Sequence, residues 1–84
     1  MELLQTQMEQ VALRLVQGLI GSANSLWNSL LDPLGQQLRT QTKEHQLASI
    51  PALRQVLAHQ EAKDWVAMAD ALRDQLIPTL RGNS

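Results

Sequence analysis

The segment LVQGLIGSANSLWNSLL, residues 15–31, decides the fold of this chain because it is uncharged and has more apolar and small surface than one buried face requires. At 100° per residue, its apolar side chains share one wide helical stripe. The stripe consists of Leu15, Val16, Leu19, Ile20, Ala23, Leu26, Trp27, Leu30 and Leu31. With the small residues along its edge it covers roughly two thirds of the circumference, well beyond the ~100° of a surface helix. We therefore expect a helix at the centre of a bundle or in the core of an oligomer.

A row of small residues borders this stripe at intervals of four, three and four positions: Gly18, Ser22, Ser25 and Ser29. Such a row allows another helix to approach closely, either from the same chain or, as a two-fold contact, from a second copy. The candidate interface residues are then Leu15, Gly18, Leu19, Ser22, Ser25, Leu26, Trp27, Ser29 and Leu30. Trp27 and Trp65 could likewise be core residues or anchors for a partner, since Trp is enriched at interface hot spots.

The composition favours a small all-α domain. Of the 84 residues, 44% are hydrophobic, but only 2% are aromatic and both aromatic residues are Trp. Leu, Ala, Gln and Met in this balance suit helices, whereas sheets favour β-branched and aromatic residues. One core of this size supplies only a few kcal/mol of net stability, and oligomerisation often adds to it. We expect a single domain over residues 1–84 that is completed by dimerisation.

Charge and polarity narrow the class of partner. The formal net charge is −1 and no basic block is present, whereas nucleic-acid-binding proteins normally carry a basic patch. We therefore expect no nucleic-acid partner.

Residues 15–31 include six Gln, Asn and Ser residues, and a segment with this many polar residues is too polar for a membrane span. Residues 1–10 lack the basic region of a signal peptide, and the chain lacks Cys, so we expect a cytoplasmic protein.

The apolar spacing and the prolines predict where the helices lie. No proline precedes Pro33, so the spacing predicts one long helix over about residues 2–31 that includes Gly18. Asp32 with Pro33, and Ser49 with Pro51, each pair a capping residue with a proline suited to a first helical turn. We expect further helices over about 33–47 and 50–61. The polar residues 39–48 fit either a helix end or a loop.

The last helix is predicted over residues 64–80. Asp64 can cap it, and an amphipathic pattern follows. Its apolar face consists of Trp65, Met68, Ala69, Leu72, Leu76 and Leu80. Pro78 is expected to bend or end the helix in its last turn. We expect this face to pack onto the first helix, in an up-down bundle of three to four helices with a long N-terminal helix.

The titratable residues do not suggest catalysis. His45 and His59 are the only histidines, and His59 lies two positions from Glu61, a spacing that turns the two side chains apart on a helix. Asp70 and Asp74 share a face, but it is the hydrophilic face of the last helix, whereas paired catalytic carboxylates normally lie in a cleft. No glycine-rich phosphate loop is present. We predict no enzymatic activity and no catalytic, metal or cofactor site.

The C-terminal third carries a family-like pattern, in which a Leu-rich helix leads into D-W-V-x-M-A-D-x-L-x-x-x-L-x-P-x-L. The matching residues are Asp64, Trp65, Val66, Met68, Ala69, Asp70, Leu72, Leu76, Pro78 and Leu80. This stretch resembles the C-terminal pattern of small uncharacterised bacterial helical proteins. More loosely, residues 58–65 are similar to an element of flagellar export chaperones, small helical proteins that hold a filament component before export. The resemblance implies a helical protein of bacterial type that binds protein.

Taken together, these observations favour a non-catalytic protein–protein interaction module that acts as a homo-oligomer, with a two-fold symmetric homodimer as the simplest case. The main hypothesis is an adaptor or export-chaperone-like protein whose groove accepts an amphipathic helix of a client. The alternative is a purely structural or self-assembling subunit without a client. The two hypotheses differ in the apolar surface that the oligomer exposes. An adaptor keeps an exposed apolar patch of roughly several hundred Å², whereas a structural subunit does not.

Overall fold

The computed structural model describes residues 2–81, with side chains from Leu3 to Leu80. Helix α1 spans Glu2–Val16, α2 spans Ile20–Arg39 and α3 spans Lys43–Glu61. The C-terminal helix consists of α4 (Trp65–Ala71), a π-helical segment (Leu72–Leu76) and α5 (Ile77–Arg81). No strand occurs among the described residues, which confirms the predicted all-α class.

The turn between α1 and α2 is built around Gly18, and it shows that the predicted single helix over residues 2–31 is wrong. Gly18 has a φ of +81°, in the left-handed region that glycine enters without a Cβ penalty. The N–H of Leu19 donates to the carbonyl of Arg14 at 2.8 Å, and the N–H of Gly18 donates to the carbonyl of Leu15 at 3.2 Å. This pair of bonds is the Schellman motif that commonly ends helices. The first helix therefore stops at Val16.

Both prolines that the sequence marks as helix starts lie inside continuous helices. Pro33 is within α2 and Pro51 is within α3, so the predicted helices over 33–47 and 50–61 have the wrong boundaries. Each proline removes one intrahelical hydrogen bond. Both residues are exposed, so water can bind the carbonyl that loses its partner. The packing of the opposite face then keeps each helix continuous.

A short turn over residues 40–42 connects α2 to α3 and resolves the polar stretch that the sequence left open. Thr42 is the N-cap of α3, and its side chain accepts a hydrogen bond from the backbone N–H of His45 at 3.3 Å. This is the usual way to satisfy a free N–H in a first helical turn. Residues 43–48 are therefore helical, and only the three residues before them form a loop.

The four helices form an up-down bundle. Helix α1 packs against α2 and the C-terminal helix, and α3 packs against the C-terminal helix and, less extensively, against α2. The side-chain amide of Gln60 donates to that of Asn24 at 2.8 Å, and Gln46 donates to the carbonyl of Leu38 at 2.8 Å. These bonds join opposite ends of α2 and α3, so the two helices are antiparallel. The predicted up-down arrangement is confirmed.

The core is closed by residues from all four helices. Its largest fully buried side chain is Trp27 of α2, surrounded by an apolar cluster. The largest other apolar members of that cluster with full burial are Met8, Val11, Leu34, Val56, Met68, Leu72, Leu76 and Leu80. Five of the six residues of the predicted C-terminal face are thus at most 1% exposed, namely Met68, Ala69, Leu72, Leu76 and Leu80. Their helix packs on α1 as expected. Trp65 is only partly buried at the edge of the cluster.

The C-terminal helix adjusts to Pro78 without ending there. Asp64 caps it by accepting from the N–H of Ala67 at 3.2 Å, as the sequence predicts. The π-helical segment precedes Pro78, and in it the N–H of Ile77 donates to the carbonyl of Leu72. The wider turn accommodates a residue that cannot donate. The helix then continues to Arg81.

Candidate interaction surface

The predicted interface residues do not form one surface, because the turn at Gly18 divides them. Leu15, Trp27 and Leu30 are at most 4% exposed and belong to the core of their own bundle. Leu26 packs at the edge of that core. Gly18, Leu19, Ser22, Ser25 and Ser29 are exposed. The continuous helical face expected for these residues is therefore wrong, and contact of the exposed ones with a partner stays a prediction.

The exposed serines lie on the outer side of α2. Ser29 donates its hydroxyl to the carbonyl of Leu26 at 2.6 Å, within the same helix. Ser22 accepts from the Arg14 guanidinium at 3.2 Å, which joins the ends of α1 and α2 across the turn. Together with Ser25 they form a small-residue surface that a neighbouring helix could approach, as a row of small side chains permits.

Helix α3 has an unusual distribution of side-chain sizes. The residues it buries are Ser49, Ala52 and Val56, all of them small. Of its larger apolar residues, Leu53 packs at the edge of the core. The others are exposed: Leu47 is 67% exposed, and Ile50 and Leu57 are each 37% exposed. A helix of a closed bundle normally turns its larger apolar residues inward. The outward face of α3 is therefore a candidate interaction surface that the sequence analysis missed.

We define the α3 seam by its spacing. Its residues follow one another at intervals of four, three, four, three and four positions, and all are exposed: Lys43, Leu47, Ile50, Arg54, Leu57 and Glu61. At 100° per residue these positions fall on one narrow stripe, roughly opposite the buried Ser49, Ala52 and Val56. The alternation of three and four is the spacing of a coiled-coil seam.

A second set of exposed apolar residues lies at one end of the bundle. Val16, Leu19 and Val66 are 51%, 52% and 72% exposed. The first two flank the turn between α1 and α2, and Val66 follows the turn between α3 and the C-terminal helix. The hydrogen bond between Asn24 and Gln60 places these two turns at the same end. We call these three residues the end surface.

A shallow groove of about 530 Å³ lies between α3 and the C-terminal helix. It is lined by Ala48, Pro51, Ala52, Gln55, Asp74, Gln75, Pro78 and Thr79. Asp74 is the only charged residue in this lining, and the two prolines leave few backbone donors. The groove has the size of a small-molecule site. Its one hydroxyl, on Thr79, donates to the carbonyl of Leu76 at 2.7 Å.

The titratable residues are spread over the surface. His45 contacts the Thr42 hydroxyl through Nδ1 at 2.9 Å, as part of the α3 cap. Asp70 pairs with Arg73 at 3.1 Å, and both side chains are about half exposed. Within residues 3–80 no group of three or more His, Asp or Glu side chains is arranged to hold a metal ion. None of the helices between residues 2 and 81 is long and apolar enough to cross a membrane.

No protein-family model, curated protein or solved structure matches the chain. The resemblance of the C-terminal stretch to small bacterial helical proteins and to flagellar export chaperones thus stays a prediction.

Proposed function

We propose that this chain is a non-catalytic, cytoplasmic protein–protein interaction module that acts as a homo-oligomer and has an adaptor or export-chaperone-like role. The observation that carries the proposal is the exposure of three large apolar residues of α3, Leu47, Ile50 and Leu57, while the buried residues of α3 are Ser49, Ala52 and Val56. The four helices already bury a closed core, so these side chains are not needed to complete it. Exposed apolar residues in such an arrangement are typical of interaction sites.

We expect the client to bind at the end surface. Val16, Leu19 and Val66 are 51–72% exposed, and none of them belongs to the α3 seam. An amphipathic helix laid across the end of the bundle would bury these side chains against its own apolar face, which is a common mode of peptide recognition. The sequence contains no basic block that would favour nucleic acid instead.

A self-assembling structural subunit is the second candidate. A chain that assembles beyond a dimer needs two different contacts on each copy. The α3 seam and the exposed serines Ser22, Ser25 and Ser29 of α2 would provide them. In that case the apolar surface is covered by other copies and no client is required.

The test combines a measurement of the mass of the oligomer in solution with the capture of client proteins from an extract. Light scattering over a micromolar concentration range should give at least twice the chain mass of 9.4 kDa. The wild-type chain, a Val16→Lys/Val66→Lys variant and a Leu3→Lys control are then used to capture proteins from a host extract. Leu3 is 71% exposed and lies near the opposite end of the bundle, so it matches the variants in exposure but not in location.

The outcomes separate the candidates. An identified protein that binds the wild type and the Leu3 control, but not the end-surface variant, supports the adaptor. Mass that grows with concentration beyond a dimer, with no difference in captured proteins, supports the structural subunit. A monomer at every concentration contradicts both.

A further inference from the structure

The α3 seam is complementary to itself when two copies of α3 run in opposite directions. Its order from the N-terminal end is basic, apolar, apolar, basic, apolar, acidic. A two-fold axis near Ala52 brings the basic end of one helix to the acidic end of the other. The alternating intervals of three and four residues correspond to the a and d positions of a coiled coil. In this pairing each a position lies beside a d position of the other helix, as in antiparallel coiled coils.

We propose that this face binds a second copy of the chain through an antiparallel pairing of the two α3 helices. The inference deepens the proposed homo-oligomeric function and rests on it. The proposed layers pair Lys43 with Glu61, Leu47 with Leu57 and Ile50 with Arg54 of the second copy. By symmetry each layer occurs twice, so the contact contains two ion pairs and two Leu–Leu contacts. The aliphatic part of each Arg54 covers an Ile50 while its guanidinium reaches water.

Charge selects the antiparallel direction over the parallel one. In a parallel pairing Lys43 would face Lys43, Arg54 would face Arg54 and Glu61 would face Glu61, and like charges across an interface are destabilising. The helix dipoles add to this preference, since antiparallel neighbours place opposite ends side by side. Lys43 and Glu61 also lie at the ends of α3 where the dipole of their own helix disfavours their charges. The second copy supplies the opposite charge at both places.

The seam is accessible without any change in the bundle. It lies roughly opposite the buried side of α3, and α3 packs only lightly on α2, so no described element covers it. Its length, from Lys43 to Glu61, is about 27 Å at 1.5 Å per residue. A single helix pair of this length buries less area than permanent interfaces do. We therefore expect a reversible dimer that dissociates on dilution.

Charge exchange tests the register. Sedimentation equilibrium is run on the wild type, Lys43→Glu, Glu61→Lys and the double variant. Each single exchange replaces both ion pairs of the dimer by like-charge contacts and should raise the dissociation constant about ten-fold. The double exchange should restore it to near the wild-type value. Both exchanges place charges that the α3 dipole favours, so circular dichroism should show unchanged folding.

The apolar layers have a matched control. Leu57→Lys should abolish dimer formation at concentrations at which the wild type is dimeric, whereas Leu13→Lys should leave the dimer unchanged. Leu13 is 45% exposed and lies on α1, so the control introduces the same charge outside the seam.

Disulfide trapping tests the direction, since the chain has no cysteine. A mixture of Leu47→Cys and Leu57→Cys chains should give cross-linked heterodimers on mild oxidation. Neither variant alone should cross-link, because like positions lie about 15 Å apart along the axis of the antiparallel pair, too far for a disulfide. Cross-linking of Leu47→Cys with itself would overturn the antiparallel arrangement.

The failures of the two proposals are distinguishable. A dimer whose dissociation constant is unaffected by all the seam variants would refute the α3 pairing and leave the homo-oligomeric function standing. A wild-type chain that is monomeric at every concentration would refute both. If each single exchange weakens the dimer and the double exchange does not restore the dissociation constant, the Lys43–Glu61 register is refuted.

Discussion

Ser49 offers a direct test of how the core of this protein is built. It lies on the buried side of α3, is 0% exposed, and its hydroxyl has no hydrogen-bond partner among the described residues. Burial of a polar group without a partner destabilises a folded protein. We therefore expect Ser49→Ala to stabilise the protein, which is the opposite of the usual effect of a core substitution.

The expected gain follows from two contributions. Burial of an unpaired hydroxyl costs about 1–3 kcal/mol in protein mutational data. Alanine is also the better helix former, by a few tenths of a kcal/mol, and α3 is continuous at this position. The substitution removes one oxygen atom and so leaves little new space. For a domain of this size, each kcal/mol raises Tm by about 4–8 °C.

Urea and thermal denaturation followed by circular dichroism measure the effect, with Ser25→Ala as control. Ser25 is exposed and lies within α2, so it provides the propensity gain without the burial. Ser49→Ala should exceed this control by at least about 1 kcal/mol. A change equal to or below that of Ser25→Ala would show that the Ser49 hydroxyl has a partner in solution, and the reasoning would be wrong.

Three further predictions concern the turns and the two Trp residues. Gly18→Ala should lower the free energy of unfolding by about 1 kcal/mol, because the φ of +81° disfavours a Cβ; an unchanged urea midpoint would contradict this. Lys63 has a φ of 59° in the turn after α3. Lys63→Gly should therefore raise the free energy of unfolding by about 0.5–1 kcal/mol, and a loss of stability would contradict the strain argument. Trp27→Ala should lower the free energy of unfolding by about 3–5 kcal/mol, because Trp27 is 0% exposed. Trp65→Ala should lower it clearly less, because Trp65 is only partly buried. Equal losses in thermal melts would show that Trp65 is a full core residue.

The sequence predicts well those features that depend on neighbouring residues. The Asp64 cap and the amphipathic C-terminal helix follow from a capping oxygen and from spacing along one helix. The all-α class follows from composition in the same way. These interactions are made within one or two helical turns, so the local sequence is enough to predict them.

The local sequence does not determine where the chain reverses direction, because it contains two possible helix interruptions. Gly18 and Pro33 can each interrupt a helix; the spacing predicts the interruption at Pro33, whereas the chain reverses at Gly18. A proline costs one hydrogen bond, which water can replace on an exposed face. A reversal at Gly18 instead allows Leu15 and Trp27 to enter the same core from two helices. The free energy of that burial exists only in the folded bundle.

The candidate interaction surface required the tertiary structure for a related reason. Helix α3 carries apolar residues on most of its circumference, so periodicity does not identify which side faces the core. Helix packing decided that Ser49, Ala52 and Val56 point inward. Leu47, Ile50 and Leu57 were left outside as a consequence. Composition and local spacing thus determined that this chain is helical, whereas the shared core determined where it turns and which apolar face is exposed, because burial depends on contacts between residues far apart in sequence.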